Sequence, residues 1–476
     1  MKTTYNKLIA FALILSGGLF EACTEAVEIG EVDQKSYSGV TSVNGYLKDA
    51  ATGKSESIIE LRKETYESSL FFGLTRTAGK GVDLQVEYDA AYAESYNALH
   101  ATKFPLYPET SVSLGNGGKM LMAPDEKRSG EIRITVSYDK TLEDGATYLL
   151  PLKVTSQTEG ISVPEKVSRC TYLVKNYHNE ADTFKGYDAV KTILYFEVND
   201  TNPLNALEFK TSDGALFFDY VILFAANINY NAETGKVFVN FNDQVQFLMD
   251  HNEEYIQPLR KRGIKVLLGL LGNHDPAGLA QLSTLGSMDF ARELRTVCDT
   301  YNLDGVNFDD EWSNPPAVEN PLFGSHTPEE GARLCYETKK IMPDKYVTVF
   351  DVGQMYEDIT VEGVVPGDYI DIGVGLYYNA AEPLTGMTKK NCTGMSYELN
   401  RNSTGGDEQQ AREEVKEAGY GYCMMFALFA ANAGYEMKQT QIKSCNRICK
   451  GLYEQELQPV EYYYPFQSTV RTPITE

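Results

Sequence analysis

The most informative stretch of the chain is Leu303-Asp304-Gly305-Val306-Asn307-Phe308-Asp309-Asp310-Glu311-Trp312. Read as a β-strand, its side chains alternate, so Gly305, Asn307, Asp309 and Glu311 face one way. Asp309 and Glu311 lie two residues apart, about 6.6–7 Å along a strand. Two carboxylates at that spacing do not ionise independently in a partly dry site. The pKa of one rises, which suits a general acid, and the other stays low. Such a pair can move a proton onto and off an oxygen at a breaking bond. The plain alternative is a strand end running out into solvent as a polar rim. The apolar run around Gly305 and Phe308 argues against it.

A strand ending on two carboxylates needs a scaffold that opens at that end. From about 182 to 466, apolar runs alternate with amphipathic helices. Strands are expected over 193–198, 219–226, 264–271, 303–308, 346–351, 369–376, 394–399 and 421–428. A helix is expected over 244–262, with Val245, Leu248, Asn252, Ile256 and Leu259 on one face. Another is expected over 288–301, with Ala291, Leu294, Cys298 and Tyr301 on one face. The alternation fits an α/β fold, a (β/α)8 TIM barrel over 179–466. A doubly wound open sheet is the alternative. In a barrel, Asp309 and Glu311 fall at the C-terminal rim, where such barrels carry their active sites. The residues before it, 36–178, read as short alternating strands and turns, a small all-β sandwich. Strands are expected there over 57–61, 82–88, 131–138 and 148–155. This domain shows no catalytic constellation, and its expected role is a spacer or an accessory contact.

The motif D-G-V-N-F-D-D-E, Asp304 to Glu311, resembles the D-G-x-D-x-D-x-E of glycoside hydrolase family 18, which that family carries on its fourth barrel strand. "VILFAANINYN", "PLRKRGIKVLLGLLGNHDPAGLAQL", "YNLDGVNFDDEW" and "MPDK" resemble the endo-β-N-acetylglucosaminidases of that family, which cut the chitobiose core of N-linked glycans. The resemblance covers most of 182–428. It implies that Glu311 is the general acid and that Asp309 orients the substrate's 2-acetamido group. That group attacks the anomeric carbon itself, giving an oxazolinium intermediate and net retention. The resemblance also implies a tyrosine hydrogen-bonded to the acetamido oxygen, either Tyr377 or Tyr378. Asn229, Tyr230, Asn273 and His274 fall on loops after the second and third strands, where they could touch sugar, as could Trp312. Asn307 departs from the family's usual Asp and cannot titrate. The eighth strand lacks the Trp of family chitinases, which argues against a chitinase. The competing readings are a glycan-binding protein on a decayed barrel and a chitinase-like hexosaminidase. No metal or organic cofactor is implied.

The N-terminus reads as a secretory signal: Lys2 and Lys7, then an apolar stretch over 8–20, too short to span a bilayer. Ala22-Cys23 resembles a lipoprotein box, with lipid on Cys23 over signal 1–23, an acidic tether over 24–35 and a place on the outer membrane surface. An ordinary cleaved signal, giving a secreted or periplasmic protein, is the alternative. Glycan-binding and import proteins at that surface are then expected neighbours. Of the 8 Cys, seven remain besides Cys23, an odd number that argues against a full disulfide framework. Cys445 and Cys449, one helical turn apart, are expected as packed thiols. The 5 His show no metal spacing. A net charge of −24 without a basic patch excludes nucleic acid as partner.

Overall fold

The sandwich and the barrel meet end to end in a computed structural model that describes residues 43–475, except 63, 179, 180, 187, 318 and 401–405. The signal, Cys23, the tether and the start of the sandwich at 36 lie outside the described residues. From Val43 onward the chain forms one unit.

The sandwich consists of two five-stranded sheets. One orders its strands Val112–Leu114, Ile132–Ser137, Thr65–Leu74, Val43–Asp49 and Ile161–Ser162; the other orders Glu56–Leu61, Arg169–Asn176, Thr147–Ser156, Val82–Tyr88 and Lys119–Met122. Alternation does the sorting: Ile132, Ile134 and Val136 are buried while Arg133 is exposed. Thr147–Ser156 and Arg169–Asn176 break that alternation, and their second faces are apolar too. Leu149 and Leu173 are covered there by Tyr96 of a helix, Tyr92–His100, which an all-β reading does not anticipate.

Eight parallel strands then follow: β1 (Lys191–Glu197), β2 (Tyr220–Asn231), β3 (Lys265–Leu271), β4 (Gly305–Asp309), β5 (Tyr346–Phe350), β6 (Ile372–Val374), β7 (Thr393–Glu398) and β8 (Tyr422–Phe426). The sheet runs β6-β5-β4-β3-β2-β1-β8-β7. β6 and β7 meet at the single bridge Gly373–Cys392. Side chains complete that seam: the Ser396 hydroxyl donates to the Gly375 carbonyl at 2.6 Å, and Thr393 Oγ1 accepts the Gly375 N–H at 2.8 Å. The result is a nearly closed (β/α)8 barrel rather than an open sheet. Its interior is a packed column that includes Ile193, Tyr195, Ile222, Leu267, Phe350, Val374 and Met424. Outward residues such as Leu268, Val306 and Val349 pack beneath the helical layer.

The single helix expected over 244–262 is three short ones, Asp243–Asp250, Asn252–Tyr255 and Gln257–Lys261. The Asn252 amide donates to the Tyr301 carbonyl, and Pro258 has no N–H for a continuous ladder. The helix expected over 288–301 starts earlier, at Thr284, because Ser283 caps it by accepting the Gly286 N–H at 3.2 Å.

The sandwich contacts the strands' N-terminal ends, opposite the rim. Lys265, which opens β3, pairs with Glu60 at 2.7 Å, and the Lys54 ammonium donates to the Ile370 carbonyl at 2.9 Å beside Asp371. Asp304, first in the motif, belongs to this end. It takes both Nε and Nη2 of Arg260 at 2.8 Å and the Val266 N–H at 2.9 Å. Burial would raise its carboxyl, but the Arg260 guanidinium outweighs burial and holds it well below the usual carboxylate range. A lowered folded-state pKa means stability present above about pH 4 and lost as pH falls below it. Asp304→Asn leaves the buried guanidinium without its charge partner. It is expected to cost about 3–5 kcal/mol in a urea melt at pH 7. A loss under about 1 kcal/mol would show that the pair does not hold this end together.

Candidate active site

Asp309 ends β4 and is buried, with Asn307 one layer below it. The register pairs Asn307 with Thr348 of β5, and the Asn307 amide donates to the Thr348 hydroxyl at 2.9 Å. Tyr195 of β1 spans the interior, its ring 6.0 Å from Phe224 and 6.0 Å from Phe350. Among the described residues, the buried Asn307 Oδ1, Asp309 Oδ1 and Tyr195 hydroxyl meet no hydrogen-bond partner. Burial, then the neighbouring Glu311 and Asp310 charges, push the Asp309 carboxyl up to about 8. Paired carboxylates were expected to place one raised group as a general acid. The raised group is Asp309, the residue that the resemblance assigns to substrate orientation. The reason is local: the strand stops at Asp309, and Glu311 follows in a half-buried turn, its N–H on the Asp309 carbonyl at 3.1 Å.

Asp310, between them, faces the other way and is buried. It accepts the Gln354 N–H at 2.9 Å, and its Oδ2 lies 2.7 Å from His326 Nε2. It thereby ties the loop after β5 to the residues before the helix Pro328–Ile341, which leads into β5. A Cβ on Gly353, which has φ +65°, would meet that carboxylate at 2.4 Å. Sequence reasoning assigned Asp310 no part.

Backbone direction sets the two tyrosines apart. Tyr377 stands half-exposed against Phe350 (6.1 Å) and Phe426 (5.2 Å). Partial burial and the Glu311 and Asp309 charges raise its hydroxyl, which places that hydroxyl in the field of the pair. Tyr378 has φ 61° and turns to β7, where its hydroxyl donates to Glu398 at 3.1 Å. Phe426 is what β8 contributes at its end.

The other expected contacts cluster on the β3 side of Glu311. Asn273 donates to Asn229 Oδ1 at 3.0 Å, and Asn229 donates to Asp275 at 3.4 Å. Asp275, not anticipated, also accepts the Tyr230 N–H at 3.0 Å and the Ala277 N–H at 2.9 Å. His274 and Trp312 are in edge contact at 5.8 Å, and both are exposed. Tyr195, Thr348, Phe350 and Phe426 were also missed. Strand parity with Asn307 marks all four as inward, and that signal was available.

Among the described residues no group of three or more His, Cys, Asp or Glu could hold a metal ion. Cys170, Cys298, Cys335, Cys392, Cys423, Cys445 and Cys449 are buried and free. Burial pushes the Cys445 and Cys449 thiols up, as befits packed thiols.

A family model for an N-terminal domain matches residues 41–161. The chain is 40% identical over 273 residues to endo-β-N-acetylglucosaminidase F1 of Elizabethkingia meningoseptica, covering 56% of this chain and 79% of that protein. It is 30% identical over 245 residues to an endo-β-N-acetylglucosaminidase of Flavobacterium sp. (strain SK1022), covering 50% of this chain and 74% of the relative. The crystal structure of Bacteroides thetaiotamicron EndoBT-3987 with Man5GlcNAc product superposes with a TM-score of 0.83 at 42% identity, over 90% of this chain and 99% of that one. The same protein with Man9GlcNAc2Asn substrate superposes with a TM-score of 0.77 at 40% identity, over the same shares of both chains.

Proposed function

The chain belongs to the endo-β-N-acetylglucosaminidases, which are glycoside hydrolases, and from that premise we propose that it cuts between the two core GlcNAc residues of high-mannose N-glycans by substrate-assisted retention. The observation that carries this reading is the rim pair: a buried Asp309 whose carboxyl is raised to about 8, beside a half-buried Glu311. High-mannose preference rests on the Man9GlcNAc2Asn and Man5GlcNAc complexes of EndoBT-3987.

Glu311 donates a proton to the glycosidic oxygen as that bond breaks. The substrate's acetamido carbonyl closes on the anomeric carbon, so no enzyme nucleophile is needed, unlike the usual two-carboxylate scheme. The Asp309 carboxyl gives its proton up to solvent as the acetamido group seats over it, and the resulting carboxylate accepts the acetamido N–H and balances the positive charge of the oxazolinium. Tyr377 donates to the acetamido oxygen. Glu311 then takes a proton from water, which opens the oxazolinium with retention. Asn307, held by Thr348, has no ionisable group to take the Asp309 proton, so that proton leaves toward solvent rather than passing inward.

The test is to incubate the chain lacking residues 1–23 with a high-mannose glycoprotein and with a biantennary complex one, and to weigh the products. Protein left with one GlcNAc from the first substrate is the expected result. Glycan binding with no release from either would turn the reading into a binding protein. Tyr377→Phe is expected to lower kcat about 10–100-fold, whereas Tyr378→Phe should change it less than about threefold. The reverse order in steady-state assays would reassign the acetamido contact.

The N-terminal sequence supports a surface lipoprotein with lipid on Cys23. Metabolic labelling with a radioactive fatty acid should mark the wild type and not Cys23→Ala. Equal label in both would leave an ordinary signal.

A further inference from the structure

The chain's only tryptophan, Trp312, is 60% exposed one residue beyond Glu311. Its backbone is left-handed, with φ 62°, and so is that of its ring partner His274, with φ 52°. That conformation is uncommon for bulky residues and persists where surrounding structure imposes it. Here the loops after β3 and β4 are zipped together. The Gly272 N–H donates to the Glu311 carbonyl at 3.0 Å, the His274 N–H to the Trp312 carbonyl at 2.7 Å, and the Asn314 N–H to the Asp275 carbonyl at 3.0 Å. The Asn314 amide also donates to the His274 carbonyl. The approach is so close that a Cβ on Gly272 would lie 2.2 Å from the Glu311 carbonyl oxygen. The fold therefore holds a large apolar ring in water, in a fixed place, where burying it would be favourable.

The aromatic side chains divide on either side of Glu311. Tyr377 stands with Phe350 and Phe426, on the side of β5, β6 and β8. Trp312 stands with His274, on the β3 side. If Asp309 and Tyr377 hold the sugar whose anomeric carbon reacts, the group leaving from Glu311 lies toward the other side. Trp312 directly follows Glu311 in the chain, so its Cα is fixed about 3.8 Å from that of the proposed acid. An indole face buries the C–H face of a pyranose while the hydroxyls stay in water, and Asn273 and Asn229 offer polar groups beside it.

We propose that Trp312, braced by His274, is the platform for the leaving-side N-acetylglucosamine, the one that remains on asparagine. This rests on the reading of Glu311 as the acid. The test separates the two halves of the reaction. A high-mannose glycopeptide needs the leaving-side sugar, and the corresponding glycan oxazoline lacks it. Trp312→Ala is expected to raise KM for the glycopeptide about tenfold or more and to leave oxazoline hydrolysis within about twofold. Trp312→Phe should restore most of the loss. Because Trp312 is the sole indole, titrating Glu311→Gln with GlcNAc-asparagine should shift its emission in a saturable way. Equal losses on both substrates, or none on either, would overturn the proposal, as would an emission unmoved by GlcNAc-asparagine. Wild-type protein inactive on both substrates would instead sink the hydrolase reading, and the emission titration alone would then decide whether Trp312 binds this sugar.

Discussion

Glu311→Gln is expected to lower kcat by about 10²–10⁴-fold while glycan affinity changes less than about threefold. Gln keeps the shape and a hydrogen-bonding oxygen but has no proton to give the leaving oxygen. Asp309 cannot take over. It is buried at the end of the strand, whereas Glu311 lies half-buried in the segment beyond it. The acetamido carbonyl would still be placed to attack, so the loss should fall on kcat and not on binding. Single-turnover release from a high-mannose glycopeptide, with calorimetric titration of the same variant, measures both. Wild-type turnover in the variant would remove Glu311 from the reaction. Loss of binding together with turnover would mean that the residue shapes the site rather than moves a proton.

Asp309→Asn is expected to inactivate and to stabilise at once. Turnover should fall about 10²–10³-fold, because Asn is neutral where the oxazolinium needs a negative partner. Stability should move the other way, and the sign follows from linkage. The folded carboxyl is raised to about 8 from 3.8. Between those values the unfolded chain has lost the proton and the folded chain keeps it. Stability therefore falls as pH rises through that window and levels off above about 8. Asn never ionises and escapes this loss. The gain should be absent near pH 4 and reach roughly a few kcal/mol by pH 8. Thermal melts of both proteins at pH 4, 6 and 8 test it. A variant that melts lower than wild type at pH 8, or a difference independent of pH, would show that Asp309 is not held protonated. The result would place this residue among active-site groups whose function costs stability.

Much of this architecture was legible in the chain. Each of the eight expected strands corresponds to an observed one, because a buried parallel strand leaves an apolar run bounded by turns. Periodicity also placed helices after β2 and β3, but a single-face count could not see that Asn252 would reach the Tyr301 carbonyl and that Pro258 would end the ladder. The helix Tyr92–His100 escaped for a similar reason: its own apolar stripe is faint, and what calls for it is the apolar outer face of strands distant in sequence.

The sequence by itself determined the barrel, the position of Asp309 and Glu311 at its rim, and the family, because strand parity and local spacing are written in consecutive residues. Only the tertiary structure decided which carboxyl holds its proton, since burial and two neighbouring acids set that value, and spacing alone does not. It turned Tyr377 and Tyr378 to different neighbours, because one left-handed residue reverses a side chain. It sent Asp304 to the far end of the barrel, to Arg260, though it shares a motif with Glu311. It also set the sandwich against the strands' N-terminal ends, away from the rim. Each of these depends on groups brought together from separate strands, and only closure of the sheet fixes those distances.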